Sequence, residues 1–240
     1  MSNHPPNPSA IPNSHSAPFT VRIPCDSLQL EGELCIPPEA KGIVVFVHGS
    51  GSSRFSPRNR FVAEGLRSQG HATLLLDLLS ESEEAEDQLN ARYRFDVHRL
   101  SERLIEVTRW IRSHPRALGL GIGLFGASTG AAAALLAAAQ LGSEIDAVVS
   151  RGGRPDLAAG HLAQVKAPTL LIIGSLDEAC LGYNQMAFAS LRCPKSMQLV
   201  PGATHLFEEP GTLDAVLNLA ADWFANHLQQ HPKTLAEHRP

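Results

Sequence analysis

Eight short segments of the chain have the hydrophobic patterns of β-strands. Six of them are apolar at most positions, which is typical of strands buried on both faces of a parallel sheet. These six lie at residues 42–49, 72–79, 120–126, 145–153, 168–175 and 196–203. Two earlier segments, 19–24 and 28–37, alternate apolar and polar residues instead, and this alternation predicts half-buried antiparallel strands.

Helical patterns separate several of these strands. Apolar residues recur every three or four positions in 97–112, and Pro115 ends that helix. Residues 129–141 are rich in alanine, which has a high helix propensity, and 213–228 form an amphipathic segment. Strand, helix and strand thus alternate over most of the chain. This order predicts one α/β domain with a mainly parallel sheet of about seven or eight strands flanked by helices.

We expect the domain to span residues 19–228, with tails at 1–18 and 229–240. The first tail contains five prolines and no apolar core, which predicts disorder and argues against an ordinary secretory signal. The most apolar run, 131–139, is shorter than the ~20 residues that a membrane-spanning helix needs. A cytoplasmic protein is therefore predicted.

Composition and charge exclude several classes of partner. Of the 240 residues, 43% are apolar and 18% are charged, as in a globular protein with a sizeable core. A net charge of −4 offers no basic surface, so we expect neither nucleic acid nor a membrane as a partner. The four cysteines form no CxxC pair and no HExxH motif occurs, so no metal site is predicted. The oligomeric state is left open by these properties.

The pentapeptide GASTG, residues 126–130, lies where a predicted strand ends and a predicted helix begins. In this context the Gly-x-Ser-x-Gly pattern predicts a sharp turn that lifts the Ser128 hydroxyl above the sheet as a nucleophile. Gly126 and Gly130 lack the Cβ atoms that would block a close approach of strand and helix. The alternative is an ordinary strand-to-helix turn with an incidental serine.

A serine nucleophile needs a base and an orienting acid, which in this architecture follow later strands in the order Ser, acid, His. Asp177 comes directly after the strand at 168–175, with Glu178 as its nearest competitor. His205 follows the last strand in a short loop before the final helix. The order and spacing together predict a triad of Ser128, Asp177 and His205.

The loop after the strand at 42–49 is expected to help stabilise a developing oxyanion. We refer to its residues 48–54, HGSGSSR, as the oxyanion loop. The predicted donors are the backbone N–H groups of Thr129, at the start of a helix, and Ser50, with Gly51 as the next choice. His48 is interpreted as a structural residue that bonds the loop backbone rather than as a second base.

Four arginines follow segments whose ends should lie near the nucleophile. Guanidinium groups there would favour an anionic ester or lactone, because they pair with carboxylate or phosphate in a bidentate manner. These residues are Arg54, Arg58, Arg151 and Arg154. The alternative is that they bind the acidic run at 80–87 or Asp156, or cap helix ends.

These motifs together resemble those of α/β-hydrolases, over residues 20–228. The absence of a long insertion after the strand at 145–153 is similar to the dienelactone hydrolase branch, which implies the α/β-hydrolase fold without a large cap domain. FGASTGAAAAL, VVSRGGRPDLA and VPGATHLFEEPG resemble hydrolase domains of that branch that also occur fused to phosphoribosyltransferases. No phosphoribosyl-pyrophosphate motif occurs, so the chain is expected to be the hydrolase part standing alone. Dienelactone hydrolases proper use a cysteine nucleophile where this sequence has Ser128, so their substrate is not carried over.

The sequence therefore predicts a serine hydrolase that cleaves a small carboxylic ester or lactone, anionic if the arginines line the pocket, without a cofactor. A peptidase or thioesterase would use the same triad. A catalytically silent domain that serves as a binding or regulatory module is the alternative from another class, because function lies in the site rather than the scaffold. A nucleotide-binding domain has little support, since the G-x-G-x-x-G at 121–126 lies within the strand rather than after it.

Overall fold

The computed structural model describes residues 17–26 and 28–231 as an eight-stranded sheet with helices on both faces. The strands are β1 (Phe19–Cys25), β2 (Leu28–Cys35), β3 (Ile43–Val47), β4 (Ala72–Leu76), β5 (Ile122–Ala127), β6 (Ala147–Arg151), β7 (Thr169–Gly174) and β8 (Lys195–Val200). The helices are α1 (Pro57–Ser68), α2 (Glu81–Asn90), α3 (Val97–Ser113), α4 (Thr129–Leu141), α5 (Glu178–Ser190) and α6 (Thr212–His227). Two segments, Gly142–Glu144 and Pro155–Gln164, form 3₁₀ helix.

The sheet has the strand order β1-β2-β4-β3-β5-β6-β7-β8. β1 and β2 pair antiparallel with their neighbours, and all later strands run parallel. This confirms the predicted α/β architecture. The chain order reverses at β3, which lies between β4 and β5, and such switch points form crevices at the carboxyl ends of the strands.

Alternate residues of the central strands supply two hydrophobic cores, one on each face. Val44 and Phe46 of β3 face the core formed with α1 and α6, while Ile43 and Val45 face the core formed with α3, α4 and α5. Burial on both faces explains why the strands are apolar throughout rather than alternating. No separate cap domain interrupts the described residues, because the link from β6 to β7 contains only the short 3₁₀ segment at 155–164.

Three helices were not specified by the hydrophobic pattern. α1 begins with Ser56 as its N-cap and a proline in its first turn. α2 covers the acidic run, and Ser80 and Glu83 form a capping box at its beginning. α5 exposes Met186, so its apolar residues do not define a single buried stripe.

The predicted tails lie mostly on residues that the structure does not describe, namely 1–16 and 232–240. At the end of the described chain, the His231 N–H donates to Gly119 O, and its side chain pairs with Asp146 at 2.9 Å. Among the described residues, no helix is both long and apolar enough to cross a membrane.

Candidate active site

Ser128 occupies the sharp turn between β5 and α4, as predicted from the GASTG pattern. Its backbone has φ 51° and ψ −123°, a conformation that non-glycine residues rarely adopt. A Cβ at position 126 would come within 2.4 Å of Ala131 Cα, so only glycine allows the helix to start this close to the strand. The strained turn therefore depends on the packing of the elements around it.

Gly130 is the second glycine that this turn requires. A Cβ there would lie 2.4 Å from both His48 O and Val47 O, which are backbone atoms that cannot move easily. We expect Gly130→Ala to destabilise the protein by about 1–3 kcal/mol, the usual range for overpacking, and to lower the melting temperature in a thermal unfolding experiment.

Gly182 provides the matched control for this substitution. It lies within α5 and nothing surrounds the position of its missing Cβ within 4 Å. Gly182→Ala should therefore raise stability by roughly 0.5–1 kcal/mol, because alanine loses less backbone entropy in a helix. A Gly130→Ala protein with the native melting temperature would contradict the described packing of the turn.

The structure brings Ser128, His205 and Asp177 into one hydrogen-bonded chain. His205 Nε2 lies 3.3 Å from Ser128 Oγ, and His205 Nδ1 lies 2.6 Å from Asp177 Oδ2. Because a carboxylate can only accept, the imidazole proton lies on Nδ1, and the free lone pair of Nε2 faces the serine hydroxyl. Glu178, the competitor of Asp177 in the sequence, is exposed. The arrangement can remove a proton from Ser128.

Asp177 is also the N-cap of α5 and accepts the Cys180 N–H at 3.4 Å. Burial alone would raise the pKa of its carboxyl group, but the hydrogen bonds from His205 and Cys180 outweigh burial and lower the pKa. The carboxylate therefore stays ionised beside the imidazole.

Cys180 is a buried neighbour of this pair that the sequence pattern did not single out. Its Sγ lies 3.5 Å from His205 Nδ1, and burial together with the Asp177 carboxylate raises the pKa of the thiol to about 12. The thiol is thus neutral at pH 7. Its Sγ and one potential ligand atom each from Asp177 and His205 lie within 4.8 Å of one another and could hold a metal ion. Such an ion would have to displace the Nδ1 proton of His205. Cys180 lies three residues after Asp177, in the first turn of the helix that Asp177 caps, and this spacing could have identified it from the sequence.

The oxyanion loop packs directly against the Ser128 turn. A Cβ at Gly49 would lie 3.0 Å from Ser128 Cβ, so the loop backbone approaches the turn closely at this glycine. His48 Nδ1 bonds Gly49 O at 2.9 Å, which fits its interpretation as a structural residue. Ser50 differs from the expectation in one respect, because its N–H is not free. It donates to Thr129 Oγ1 at 2.8 Å.

A groove of about 1140 Å³ continues from the oxyanion loop toward α2. His48 and Gly51 line its inner end, and Glu81 and Glu84 line its far side. Among the described residues, its lining includes neither Ser128 nor His205. The groove therefore borders the oxyanion loop rather than the catalytic serine and histidine.

The four predicted arginines do not share one pocket. Arg54 in the groove is bonded to Asp77 and Glu31, and Arg58 pairs with Glu208 at 2.8 Å. Arg154 pairs with Asp156 at 2.8 Å, which raises the pKa of Arg154 and matches the alternative interpretation from the sequence. These ion pairs compensate the charges of three of the four guanidinium groups.

Arg151 is different, because it is only 7% exposed and forms no ion pair with any described residue. Its Nη2 donates to Asn59 Oδ1 at 3.4 Å, and its guanidinium lies 5.8 Å from the ring centre of Phe207. Burial is the main cause, and repulsion from Arg58 the smaller one, that lowers the pKa of Arg151 to about 10. It is close to the nucleophile through the backbone, since Ser128 N–H donates to Arg151 O at 3.2 Å. Asn59 and Phe207 carried no sequence signal for this role.

Comparison with known proteins agrees with the observed fold. The model of the dienelactone hydrolase family matches residues 30–230. A solved structure of a dienelactone hydrolase from Anabaena variabilis is 50% identical, with a TM-score of 0.87, and the match covers 88% of this chain and 98% of that chain. Est1E from Butyrivibrio proteoclasticus is 16% identical with a TM-score of 0.70, over 86% of this chain and 98% of that chain, and supports the fold alone.

A Mycobacterium tuberculosis protein named as a phosphoribosyl transferase is 52% identical over 208 residues. The match covers 87% of this chain and 46% of that protein, so the chain spans about half the length of the curated relatives that it matches. This agrees with the expected likeness to hydrolase domains fused to phosphoribosyltransferases. The α/β-hydrolase fold is confirmed, and the chain belongs to the dienelactone hydrolase family.

Proposed function

We propose that the protein is a serine hydrolase that cleaves a small carboxylic ester or lactone through an acyl-enzyme on Ser128. The observation that carries this proposal is the hydrogen-bonded chain from Ser128 through His205 to Asp177. A nucleophile, a base and an orienting acid in this order are the complete set of side chains that acyl transfer requires. No cofactor is needed for this chemistry.

In the first half-reaction, Ser128 Oγ attacks the carbonyl carbon while His205 Nε2 takes the hydroxyl proton. Asp177 stabilises the resulting imidazolium through Nδ1–H. The carbonyl oxygen becomes an oxyanion near the Thr129 N–H, which the helix leaves without an acceptor, and near Ser50. His205 then donates its proton to the leaving alkoxide. In the second half-reaction, His205 activates a water that attacks the acyl-enzyme, and Ser128 regains its proton.

This proposal is tested by the hydrolysis of small p-nitrophenyl esters together with a matched thioester and amide. We expect turnover with kcat/KM highest for the ester. Higher kcat/KM for the thioester or amide would favour a thioesterase or peptidase instead. A folded protein without turnover of any of the three would favour the silent binding module.

The uncompensated charge of Arg151 supports an anionic substrate. A buried guanidinium without a carboxylate is unfavourable unless a ligand supplies the opposite charge. Arg58 does not share this role, because Glu208 already pairs with it at 2.8 Å. We infer that the substrate carries a carboxylate or a similar anionic group that pairs with Arg151.

We expect Arg151→Met to lower kcat/KM for an anionic ester by about 10- to 100-fold relative to a neutral ester of the same size, the worth of one charged hydrogen bond. The comparison uses p-nitrophenyl monoesters of succinate and butyrate. Arg154→Met is the matched control, because Asp156 already compensates Arg154. An unchanged preference in Arg151→Met would contradict an anionic substrate at this position.

A further inference from the structure

The Thr129 hydroxyl has a proton without an acceptor among the described residues. Three other buried threonines donate their hydroxyl protons to backbone carbonyls, namely Thr108 to Leu104 O, Thr169 to Ala167 O and Thr212 to Glu209 O. Among the described residues, buried Thr73 resembles Thr129 in that its Oγ1 only accepts, from Arg67 Nη1 at 3.4 Å. Thr129 is only 4% exposed, and its Oγ1 accepts the Ser50 N–H at 2.8 Å. A buried hydroxyl that only accepts retains an unused donor, which is unfavourable unless something else takes the bond.

This hydroxyl is linked to both residues whose backbone groups are expected to bind the oxyanion. Its Oγ1 is bonded to the N–H of Ser50, and it belongs to Thr129, which directly follows the nucleophile. The loop backbone also approaches the turn closely at Gly49, where a Cβ would lie 3.0 Å from Ser128 Cβ. A substrate carbonyl that reaches Ser128 therefore comes to the residue next to the one that carries this hydroxyl.

We propose that the Thr129 hydroxyl is itself an oxyanion donor and a catalytic residue, which rests on the proposed hydrolase function. The Ser50 N–H donates to Thr129 Oγ1, and the Thr129 O–H donates to the developing oxyanion. The proton stays on Oγ1 throughout, so no bond forms or breaks at Thr129. A hydrogen-bonded chain of this kind polarises each member, so the bond from Ser50 strengthens the donor that faces the substrate. Ser50 then acts on the oxyanion through the hydroxyl.

The test compares Thr129→Val, which keeps the shape and removes the hydroxyl, with Thr129→Ser, which keeps the hydroxyl. We expect Thr129→Val to lower kcat by about 10²-fold with little change in KM, as for the loss of one oxyanion donor. Thr129→Ser should retain most of the activity. Thr129→Ala, whose small side chain suits the first turn of a helix, replaces the valine variant if that variant does not fold.

A second readout separates direct donation from a structural role. A trifluoromethyl ketone forms a hemiketal with a serine nucleophile, and an oxyanion donor lowers the pKa of that hemiketal. ¹³C NMR titration of the adduct should show a higher hemiketal pKa in Thr129→Val than in the native protein and in Thr129→Ser. If the substitution only loosened the loop, less adduct would form, but the hemiketal pKa would not depend on whether residue 129 carries a hydroxyl.

Two results would overturn this inference but leave the proposed hydrolase function in place. One is a native adduct whose hemiketal pKa is unchanged in Thr129→Val. The other is a higher kcat in Thr129→Val, which would mean that the hydroxyl competes with the oxyanion for the Ser50 N–H. A native protein that forms no adduct and hydrolyses no ester would overturn the proposed function as well, so the two failures are distinguishable.

Discussion

Replacing Ser128 by alanine is expected to lower the turnover of p-nitrophenyl acetate by roughly 10⁶-fold, the usual loss when a serine nucleophile is removed. Ser128 Oγ lies 3.3 Å from His205 Nε2, the proposed base, and alanine has no hydroxyl proton to give up. The residual rate comes from binding and from the oxyanion donors, which the substitution leaves in place. The measurement is steady-state nitrophenolate release by each purified protein.

Ser190→Ala is the matched control for this loss. Ser190 lies at the end of α5, where its hydroxyl only donates to Met186 O. Its replacement should leave turnover unchanged. Ser128→Ala with turnover close to native would show that another residue is the nucleophile, and the mechanism proposed for this site would be wrong.

Asp177→Asn is expected to lower kcat by about 10⁴-fold, as the same change does in related triads. The Asp177 carboxylate accepts the proton of His205 Nδ1 at 2.6 Å and thereby keeps Nε2 free for Ser128. An asparagine amide can donate to Nδ1 instead, and this would move the imidazole proton to Nε2. The base would then be blocked, although the side chain keeps its size. The kcat is measured at neutral pH with the same ester.

Glu178→Gln provides a close control, because Glu178 is the next residue and was the competing acid in the sequence. It is exposed and is not the residue bonded to His205. Its replacement should therefore leave kcat unchanged. Equal losses in Asp177→Asn and Glu178→Gln would indicate a general electrostatic effect rather than an oriented histidine.

Much of the fold could be predicted from sequence because the central strands are buried on both faces. Segments such as Ile43–Val47 and Thr169–Gly174 must be apolar throughout, and this pattern is visible without a structure. α5 was harder to predict because Leu181 packs on the core while Met186 is exposed, so no single apolar stripe marks it. Helices of this kind are stabilised mainly by tertiary packing and caps.

The three triad residues could be proposed from sequence because each follows a strand, and the parallel sheet brings the ends of those strands to one edge. Specific hydrogen bonds and ion pairs of the surrounding residues could not be predicted in this way. The bond from Ser50 to Thr129 joins residues that are 79 positions apart, and nothing in either segment specifies it. The partners of the arginines likewise depend on tertiary placement, so sequence left both of their interpretations open.

The most direct test of the proposed nucleophile is the intact mass of the protein after incubation with a fluorophosphonate. These probes phosphonylate an activated serine hydroxyl. The expected result is one adduct on the native protein and none on Ser128→Ala. A folded native protein that remains unlabelled would contradict the account and favour a catalytically silent domain with a binding role.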